Sequence, residues 1–459
     1  MTDAGDRAGA AGPLARLAAM AQEIGHGGLS PEAARATRFA VLDWFATTLP
    51  GCRDKTARQI AGAVAPWAGR DGRAVCYVSG RLLDPRSAAL VNGTASHVVE
   101  FDDIFRDGGY HPGSPTVAAA LAVAQDRGAC ADAFHRAVAA GYEVGCRISL
   151  AIQPSHYRFW HTTATVGTMG AAVAGAVLLG GDAAAIARAL SLATSFAGGH
   201  QQNLQGQGTA KSLHIGHAAE AGLLAAAAAL RGLSGSPDAL DGKTGFAAAT
   251  SESAGDWEAA FGPLGGKLAI EQMTVKAHGC CGHIFPALDA ITALEAQGGW
   301  GPQDVATLHV AGYGATKTMC DRPDPKSAQD ARFSLQYCLA ARLLMGRVRL
   351  DAFSNEALAR IDIRALMPRV SVSQDPEIAA AYPRRRMARV TLVLKDGRRL
   401  DHFQTTRRGD PEDPLSEAER IAKFDELAGV ALEAGEAETL KRTVLEGSAL
   451  PGLLPLRRD

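Results

Sequence analysis

The sequence predicts a mainly α-helical protein, in which a large all-α domain carries a smaller α+β domain inserted before the last helices. Three observations predict this class. Alanine- and glycine-rich helical segments follow one another through the first 265 residues, strand patterns are confined to residues 305–403, and helical periodicity returns after residue 416. We therefore expect the all-α domain over residues 1–265, completed by 411–459, and the α+β domain over residues 266–410.

Composition and charge exclude several classes of protein. The 459 residues are 47% hydrophobic and 21% charged, with 47 basic against 48 acidic side chains. Such a chain can bury a large core but lacks the basic footprint of a nucleic-acid binder or a polybasic membrane anchor, so we expect neither a nucleic-acid nor a membrane partner. Eight cysteines without a CxxC pair, and no signal peptide, favour a reducing compartment and a cytoplasmic protein.

Each helix of the large domain is predicted from apolar periodicity and a boundary signal. The first begins at Pro31, because Ser30 is a good N-cap residue and proline favours the first helical position. The uncharged run over residues 162–181 contains threonines and glycines, so it is predicted as a buried helix rather than a membrane span. The remaining helices of this domain are predicted over residues 87–99, 114–125, 131–151, 163–179, 182–196 and 209–230.

The smaller domain is predicted to mix strands with helices. Residues 305–310 form a β-like run, and residues 389–394 and 400–403 flank Asp396 and Gly397, which predicts a hairpin with a type I′ turn. Helices are expected over residues 286–296, 328–344 and 355–361, and a helical pattern over 416–445 closes the chain.

Histidines and acids gather in one segment that ends in a glycine-containing turn. Residues 92–103 contain Glu100, Asp102 and Asp103, and the chain then leads to His111. Small neighbours at such turns let a ligand approach the backbone closely. A solvated acidic loop is the alternative interpretation of these charges.

Two further segments place basic side chains at predicted helix starts. His161 begins the uncharged helix, where free N–H groups favour anions, although a structural cap histidine is the alternative. Lys211 and His214 share one helical face ahead of an apolar run. The lysine either has a functional partner there or extends to solvent.

Residues 276–283, KAHGCCGH, superficially resemble a metal site. Adjacent Cys280 and Cys281 cannot easily reach one tetrahedral ion, and no second ligand pair stands at finger-like spacing, so we predict no metal and a reactive or binding loop. No GxGxxG motif follows a strand, and GxSxG is absent. Residues 242–244, GKT, resemble the end of a P-loop, but Pro237 occupies the position at which a P-loop has its first glycine. Nucleotide-binding and serine-hydrolase classes are therefore not indicated.

Together these segments resemble the MmgE/PrpD family, which includes 2-methylcitrate dehydratase, cis-aconitate decarboxylase and iminodisuccinate epimerase. Five motifs carry the resemblance in family order over almost the whole chain: NGTASHVVEFDD with a downstream HPG, HTTATVGTMGAA, GTAKSLHIGHAAEAGL, KAHGCCGH and DRPDPKSAQDARFSLQY. The resemblance implies a homodimer in which the smaller domain is a lid over an active-site cleft. It also implies a small substrate with two or three carboxylates and no metal or organic cofactor.

The resemblance further implies which residues act. The family's active-site positions fall on Glu100, which is usually aspartate, and on His111, His161, Lys211 and Lys276. Further substrate contacts are expected at Asp102, Asp103, His214, Cys281 and Met319. The chain departs from the cis-aconitate decarboxylases, which have a histidine at the position of Cys281 and a tyrosine at that of Met319, and Ile104 replaces a family threonine.

The residue types suit a cofactor-independent lyase of the dehydratase type. A base must take a proton next to a carboxylate, cations must neutralise the enediolate-like charge, and an acid must protonate the departing hydroxyl. Epimerase or decarboxylase chemistry on a related polycarboxylate is the alternative, since pocket geometry decides which group departs. A non-catalytic binding protein is less compatible, because the ionisable positions are all retained.

Overall fold

Helices dominate the computed structural model, which describes residues 11–69, 71–204 and 209–457. The predicted mainly α class is therefore confirmed. Residues 1–10, part of the segment inspected for a signal peptide, lie outside the described residues, as does Gly208, the first residue of the third motif. Within the described ranges, no helix combines the length and apolar character needed to cross a bilayer.

Eleven helices of the described chain precede residue 265. They are α1 (Pro13–His26), α2 (Pro31–Gly51), α3 (Lys55–Val64), α4 (Pro85–His97), α5 (Gly113–Arg127), α6 (Ala131–Ile152), α7 (Thr162–Leu178), α8 (Ala183–Thr194), α9 (Ala210–Ala229), α10 (Phe246–Thr250) and α11 (Trp257–Phe261). As predicted, Ser30 caps α2, its hydroxyl accepting a hydrogen bond from the Ala33 amide at 3.1 Å. The uncharged run forms α7, which is buried along nearly its whole length.

Small residues let α9 pack tightly on α4 and α7. A Cβ on Gly216 of α9 would lie 2.1 Å from the Leu90 carbonyl oxygen of α4, and one on Gly222 would lie 2.6 Å from the Thr168 carbonyl oxygen of α7. Only glycine permits such an approach. The packing brings the first turn of α9, with Lys211, beside the chain that leaves α4.

A short hairpin interrupts the helices, so the prediction of a purely all-α first domain is wrong in this detail. Strands β1 (Ala74–Cys76) and β2 (Arg81–Leu83) pair antiparallel. The side chain of Asn92 on α4 donates to the Val75 carbonyl oxygen at 2.7 Å and accepts from the Tyr77 amide at 3.0 Å. Three-residue strands are too short to show alternation, and this hairpin depends on tertiary hydrogen bonds.

The second part of the chain contains a four-stranded mixed sheet and further helices. The strands are β3 (Val305–Gly312), β4 (Val370–Gln374), β5 (Ala388–Leu394) and β6 (Arg399–Gln404), in the order β4-β3-β5-β6. Only β3 and β4 pair in parallel. The helices are α12 (Phe285–Glu295), α13 (Gly314–Cys320), α14 (Ala328–Ala331), α15 (Leu335–Met345), α16 (Asn355–Leu358), α17 (Ile361–Leu366), α18 (Pro376–Ala381), α19 (Glu417–Ala428) and α20 (Ala434–Glu446).

Four details of the second part differ from prediction. Strand β4 was not predicted, because five residues with three polar side chains give a weak pattern. The helix expected over 328–344 is divided where Ser334 caps α15, and the helical segment 416–445 divides into α19 and α20. The predicted type I′ turn is wrong, because that turn needs two residues with positive φ and only Gly397 has one, at 88°.

The described residues form two large hydrophobic cores. One contains α1–α9 together with Phe424, Leu427 and Val444 of the last two helices, and the other lies between the mixed sheet and α12 and α15. In addition, Lys423 of α19 pairs with Asp43 of α2, with 2.6 Å between Nζ and Oδ1. The domain boundaries and the lid arrangement remain predictions.

Candidate active site

A cavity of about 390 Å³ lies between the helical part and the mixed-sheet part of the chain. Its wall includes all five predicted catalytic residues and two of the five predicted further contacts, namely Glu100, His111, His161, Lys211, Lys276, Cys281 and Met319. The five predicted catalytic side chains, of which Glu100 and Lys276 are 176 positions apart in sequence, thus meet around one small volume. The geometry brings these residues together; their roles remain predictions.

Glu100 connects the two lysines. It is 2% exposed and, among the described residues other than glycine, it alone has a positive φ, of 56°. In this conformation its carbonyl oxygen accepts a hydrogen bond from Lys276 Nζ at 2.7 Å, while its carboxylate forms an ion pair with Lys211. Gln329 also donates to this carboxylate, at 3.3 Å. A left-handed backbone conformation is strained for glutamate, so we infer that its contacts with the lysines hold Glu100 in this conformation.

The electrostatics of this cluster keep Glu100 ionised. Burial would raise its pKa, but the positive charges of Lys211, His97 and Lys276 outweigh burial and lower the pKa to about 2. Lys276 Nζ lies 3.8 Å from Glu100 Oε2 and 3.7 Å from Asp102 Oδ1. Both lysines are 7% exposed or less, so the alternative that Lys211 extends to solvent is wrong.

Asp102 lies between two histidines. Its Oδ2 is 2.7 Å from His97 Nδ1 and 3.3 Å from His111 Nδ1, and it accepts a hydrogen bond from the Ser114 hydroxyl at 2.9 Å. Burial would raise the pKa of Asp102, but the charges of His97, His111 and Lys276 hold it well below its usual value. A carboxylate at Nδ1 orients the His111 ring and leaves Nε2 as the nitrogen that can act on a ligand.

The two cavity histidines of the helical part are neutral at pH 7. Burial, opposed by the nearby Asp102 charge, lowers the pKa of His111 to about 4. Burial and the positive charge of Lys211 hold the pKa of His161 well below its usual value. His161 precedes α7, and its Nδ1 lies 3.3 Å from Nδ1 of His214.

Three predicted substrate contacts, Asp102, Asp103 and His214, are not among the residues that line the cavity. Asp102 contacts His97 and His111, and His214 contacts His161. Asp103 accepts hydrogen bonds from the Tyr142 hydroxyl at 2.8 Å and the Gly113 amide at 3.1 Å. Burial and the Asp43 charge raise the pKa of Asp103 to about 7. Asp102 and His214 contact His111 and His161, which line the cavity, whereas the partners of Asp103 do not line it.

The potential metal ligands of residues 276–283 have separate partners. His278 Nε2 lies 3.2 Å from Asp289 Oδ1, and Nδ1 of His283 lies 2.8 Å from the Tyr313 hydroxyl. Cys281 lines the cavity, where a hydrogen bond from the Cys320 thiol lowers its pKa to about 7, whereas Cys280 is buried. Elsewhere in the described chain, the ligand atoms of His97, Asp102 and His111 lie within 4.8 Å of one another, through the His97–Asp102 hydrogen bond and the His111–Asp102 contact given above. Absence of metal remains a prediction.

Sequence comparisons agree with the arrangement. A sequence model of the MmgE/PrpD N-terminal domain matches residues 15–257, and one of the MmgE/PrpD C-terminal domain matches residues 278–446. The chain belongs to the MmgE/PrpD family. It is similar to cis-aconitate decarboxylase of Homo sapiens, with 28% identity over 79% of this chain and 76% of the relative, and to that of Mus musculus, with 26% identity over 78% and 75%. A cis-aconitate decarboxylase-like protein of Aspergillus oryzae is 25% identical over 85% of this chain and 88% of the relative.

The two residues that the resemblance predicts to differ from the decarboxylases, Cys281 and Met319, lie on the cavity wall. Ile104, predicted to replace a family threonine, lines the same cavity.

Sequence reasoning missed several residues of the site. The cavity also contains Tyr157, His283, Tyr382 and Arg386, and His97 supports it from behind. His97 lies in the motif NGTASHVVEFDD and His283 in KAHGCCGH. Both could have been predicted as site residues, because each is a histidine close in sequence to residues that were. Arg386 lies in a run of arginines before β5, where nothing distinguishes it from surface charge.

Proposed function

We propose that this MmgE/PrpD protein is a lyase that removes a proton next to a carboxylate of a small di- or tricarboxylate, without a metal or organic cofactor. One observation carries the proposal: a neutral histidine beside a buried carboxylate lines the same cavity as two buried lysines. Base, charge stabilisation and acid are thereby available within the space of one small molecule.

His111 is the proposed base. Its low pKa supports a neutral imidazole at pH 7, and Asp102 at Nδ1 stabilises the imidazolium that forms when Nε2 accepts the proton. The side chain is 15% exposed, more than that of Lys211, Lys276 or Asp102, which suits contact with a ligand in the cavity.

Lys211 and Lys276 are the proposed stabilisers of the enediolate-like charge. Their N–H groups have little water to compete with inside the cavity, so a developing negative charge is stabilised strongly there. In dehydration, the carbon's proton passes to His111, the electron pair forms the C=C bond, and hydroxide departs with a proton from Lys211. Glu100 holds both lysines in position.

Decarboxylation is the second candidate, because the three relatives described above are named as cis-aconitate decarboxylases or as a protein like them. In that reaction the electron pair left by carbon dioxide is stabilised by the same lysines, and the carbon is protonated afterwards. Cys281 and Met319 in place of histidine and tyrosine argue against it, so we place dehydration first.

A product screen separates the two. The purified protein is incubated with citrate, 2-methylcitrate and cis-aconitate, and products are identified by proton NMR while released carbon dioxide is trapped. Dehydration gives a new olefinic signal from a hydroxy acid without carbon dioxide. Release of stoichiometric carbon dioxide from cis-aconitate would instead establish the decarboxylase, and absence of any product would contradict the proposal for these substrates.

The resemblance also supports a lid role for the mixed-sheet part, a homodimer and a cytoplasmic location, which we include in the proposal. Light scattering during gel filtration measures the mass in solution. A particle of twice the 47.7 kDa chain mass is expected, and a particle of one chain mass would contradict the homodimer.

A further inference from the structure

Arg386 is a buried cation on the cavity wall without an acidic partner. It is 6% exposed, its Nη2 donates to the Arg106 carbonyl oxygen at 2.5 Å, and its Nε is buried without a hydrogen-bond partner. The acids that act on it electrostatically, Asp410 and Asp107, are ion-paired with Arg407 and Arg106 respectively. Within the described ranges its guanidinium therefore retains unused donor capacity.

The other cations of the cavity differ in this respect. Lys211 pairs with Glu100, and Lys276 lies close to the same side chain. Arg158 is well exposed and lies 3.7 Å from Glu252. Arg386 is thus the buried cavity cation that forms no ion pair with a described carboxylate.

The groups around Arg386 are neutral rings. Tyr382 lies beneath the guanidinium, with 5.7 Å between Cζ and the ring centroid, and stacks on Tyr313 at 4.6 Å. His283, held by the Tyr313 hydroxyl, lines the cavity beside them. Burial and the charge of Arg386 hold the pKa of His283 well below its usual value, so this histidine adds no second charge. A buried guanidinium among neutral hydrogen-bonding rings is complementary to a single planar anion.

We propose that Arg386 binds a substrate carboxylate remote from the carbon that loses its proton, and so selects substrates with at least two carboxylates. The inference rests on the proposed function. The carboxylate next to the reacting carbon is placed at Lys211 and Lys276, and Arg386 then accounts for a second one. A guanidinium fork matches a carboxylate with two parallel hydrogen bonds, which a lysine cannot reproduce.

The test measures binding by calorimetry with tricarballylate, a tricarboxylate without a leaving hydroxyl, and with butyrate, a monocarboxylate. Arg386→Gln should weaken tricarballylate binding about 10- to 100-fold, which is the loss expected for one charge-assisted contact. The affinity of Arg386→Lys for tricarballylate should lie between that of Arg386→Gln and that of the wild type. Butyrate should bind both proteins equally weakly. Arg420→Gln is the matched control, because Arg420 Nε is also buried without a partner but lies outside the cavity.

Further arms separate this inference from the proposed function. If tricarballylate binds the wild type and Arg386→Gln equally, the inference is wrong while a polycarboxylate site remains. If no polycarboxylate binds, the proposed function fails, and inorganic phosphate then tests Arg386 alone. Loss of phosphate binding in Arg386→Gln supports an anion site, and unchanged or absent phosphate binding overturns it.

If circular dichroism shows that Arg386→Gln does not fold, Arg386→Lys decides, since full affinity of this variant for tricarballylate would contradict a bidentate contact. With an active substrate, KM should rise far more than kcat falls.

Discussion

Burial and the Asp102 charge shift the pKa of His111 in opposite directions. Burial dominates and lowers the pKa to about 4, so the base is neutral well below the usual range of histidine. The kcat/KM of the wild type should therefore fall on the acid side near pH 4 rather than near pH 6.5, because protonated His111 cannot accept a proton. A pH profile of initial rates measures this.

Asp102→Asn should move that acid limb to lower pH, because the Asp102 charge raises the pKa of His111. It should also lower kcat about 100-fold or more, since the imidazolium loses its stabilising partner. His278→Gln, outside the cavity, is the control and should leave the profile unchanged. An unshifted limb near pH 6.5 in all three proteins would exclude His111 as the base.

Replacement of Lys211 by methionine should affect both folding and activity. The ion pair with Glu100 is buried, with side chains 9% and 3% exposed, and removal of one partner leaves a carboxylate without its main counter-charge. We expect a loss of about 3–5 kcal/mol in the free energy of unfolding, together with loss of turnover.

The double variant Glu100→Gln/Lys211→Met should recover much of this stability and none of the activity. Urea unfolding and turnover assays measure the two effects. Wild-type turnover in Lys211→Met would remove the lysine from the mechanism, and unchanged unfolding would contradict the buried pair.

At the residue scale, the sequence predicted which side chains gather around the cavity better than it predicted their contacts. Glu100, His111, His161, Lys211 and Lys276 line the cavity as expected, because the family resemblance assigned all five to one site. That Asp102, Asp103 and His214 do not line the cavity could not be predicted. The side chains of neighbouring residues point in different directions according to backbone angles that only the folded chain sets.

At the scale of elements, the contact of α4 with α9 positions the lysine–glutamate pair. Gly216→Ala would place a methyl group 2.1 Å from the Leu90 carbonyl oxygen and 2.3 Å from Thr94 Oγ1, which forces the helices apart. We expect a loss of about 1–3 kcal/mol in stability and a fall in activity, because Lys211 moves with α9. Thermal unfolding and turnover assays check both.

The control for this helix contact is Gly62→Ala in α3, where a Cβ meets nothing within 4 Å. Alanine favours a helix over glycine, so this variant should be unchanged or stabilised by up to about 1 kcal/mol. Equal effects of the two substitutions would show that the α4–α9 approach does not limit the packing.

Most long helices were predicted well because apolar periodicity and caps are local, although α1, which lacks a side-chain cap, was not predicted. Ser30 and the first turn of α2 are an example. The hairpin of β1 and β2 and the lone parallel strand β4 were missed, because their hydrogen bonds come from distant elements such as α4 and β3. The turn at Gly397 was assigned the wrong type since the dipeptide suits more than one hairpin loop.

For the whole molecule, buried histidines should make the fold sensitive to acid. Burial is the first cause that lowers the pKa of His111, His135, His156 and His214 to about 4. Between pH 6.5 and 4 the unfolded chain therefore binds more protons than the folded chain, so stability should fall as pH falls. Asp103 acts in the opposite direction, since its raised pKa gives stability that is lost as pH rises from 3.8 to about 7.

His156→Gln isolates one of these protons, because His156 packs between Thr165 and Thr250 and lies off the cavity wall. In urea unfolding between pH 4.5 and 6.5, the slope of stability against pH should be smaller in this variant by up to about 1.4 kcal/mol per pH unit. Identical slopes would contradict a neutral buried His156.

The central claim is that the cavity removes a proton next to a carboxylate, and hydrogen exchange in heavy water measures this step directly. Citrate, 2-methylcitrate and tricarballylate are incubated with the wild type and with His111→Gln, and loss of the methylene proton signals is followed by NMR. We expect at least one polycarboxylate to exchange a single, stereochemically defined proton with the wild type, and the rate to fall about 100-fold or more in His111→Gln. A polycarboxylate that binds the cavity without exchange or product, or exchange that persists unchanged in His111→Gln, would contradict the account.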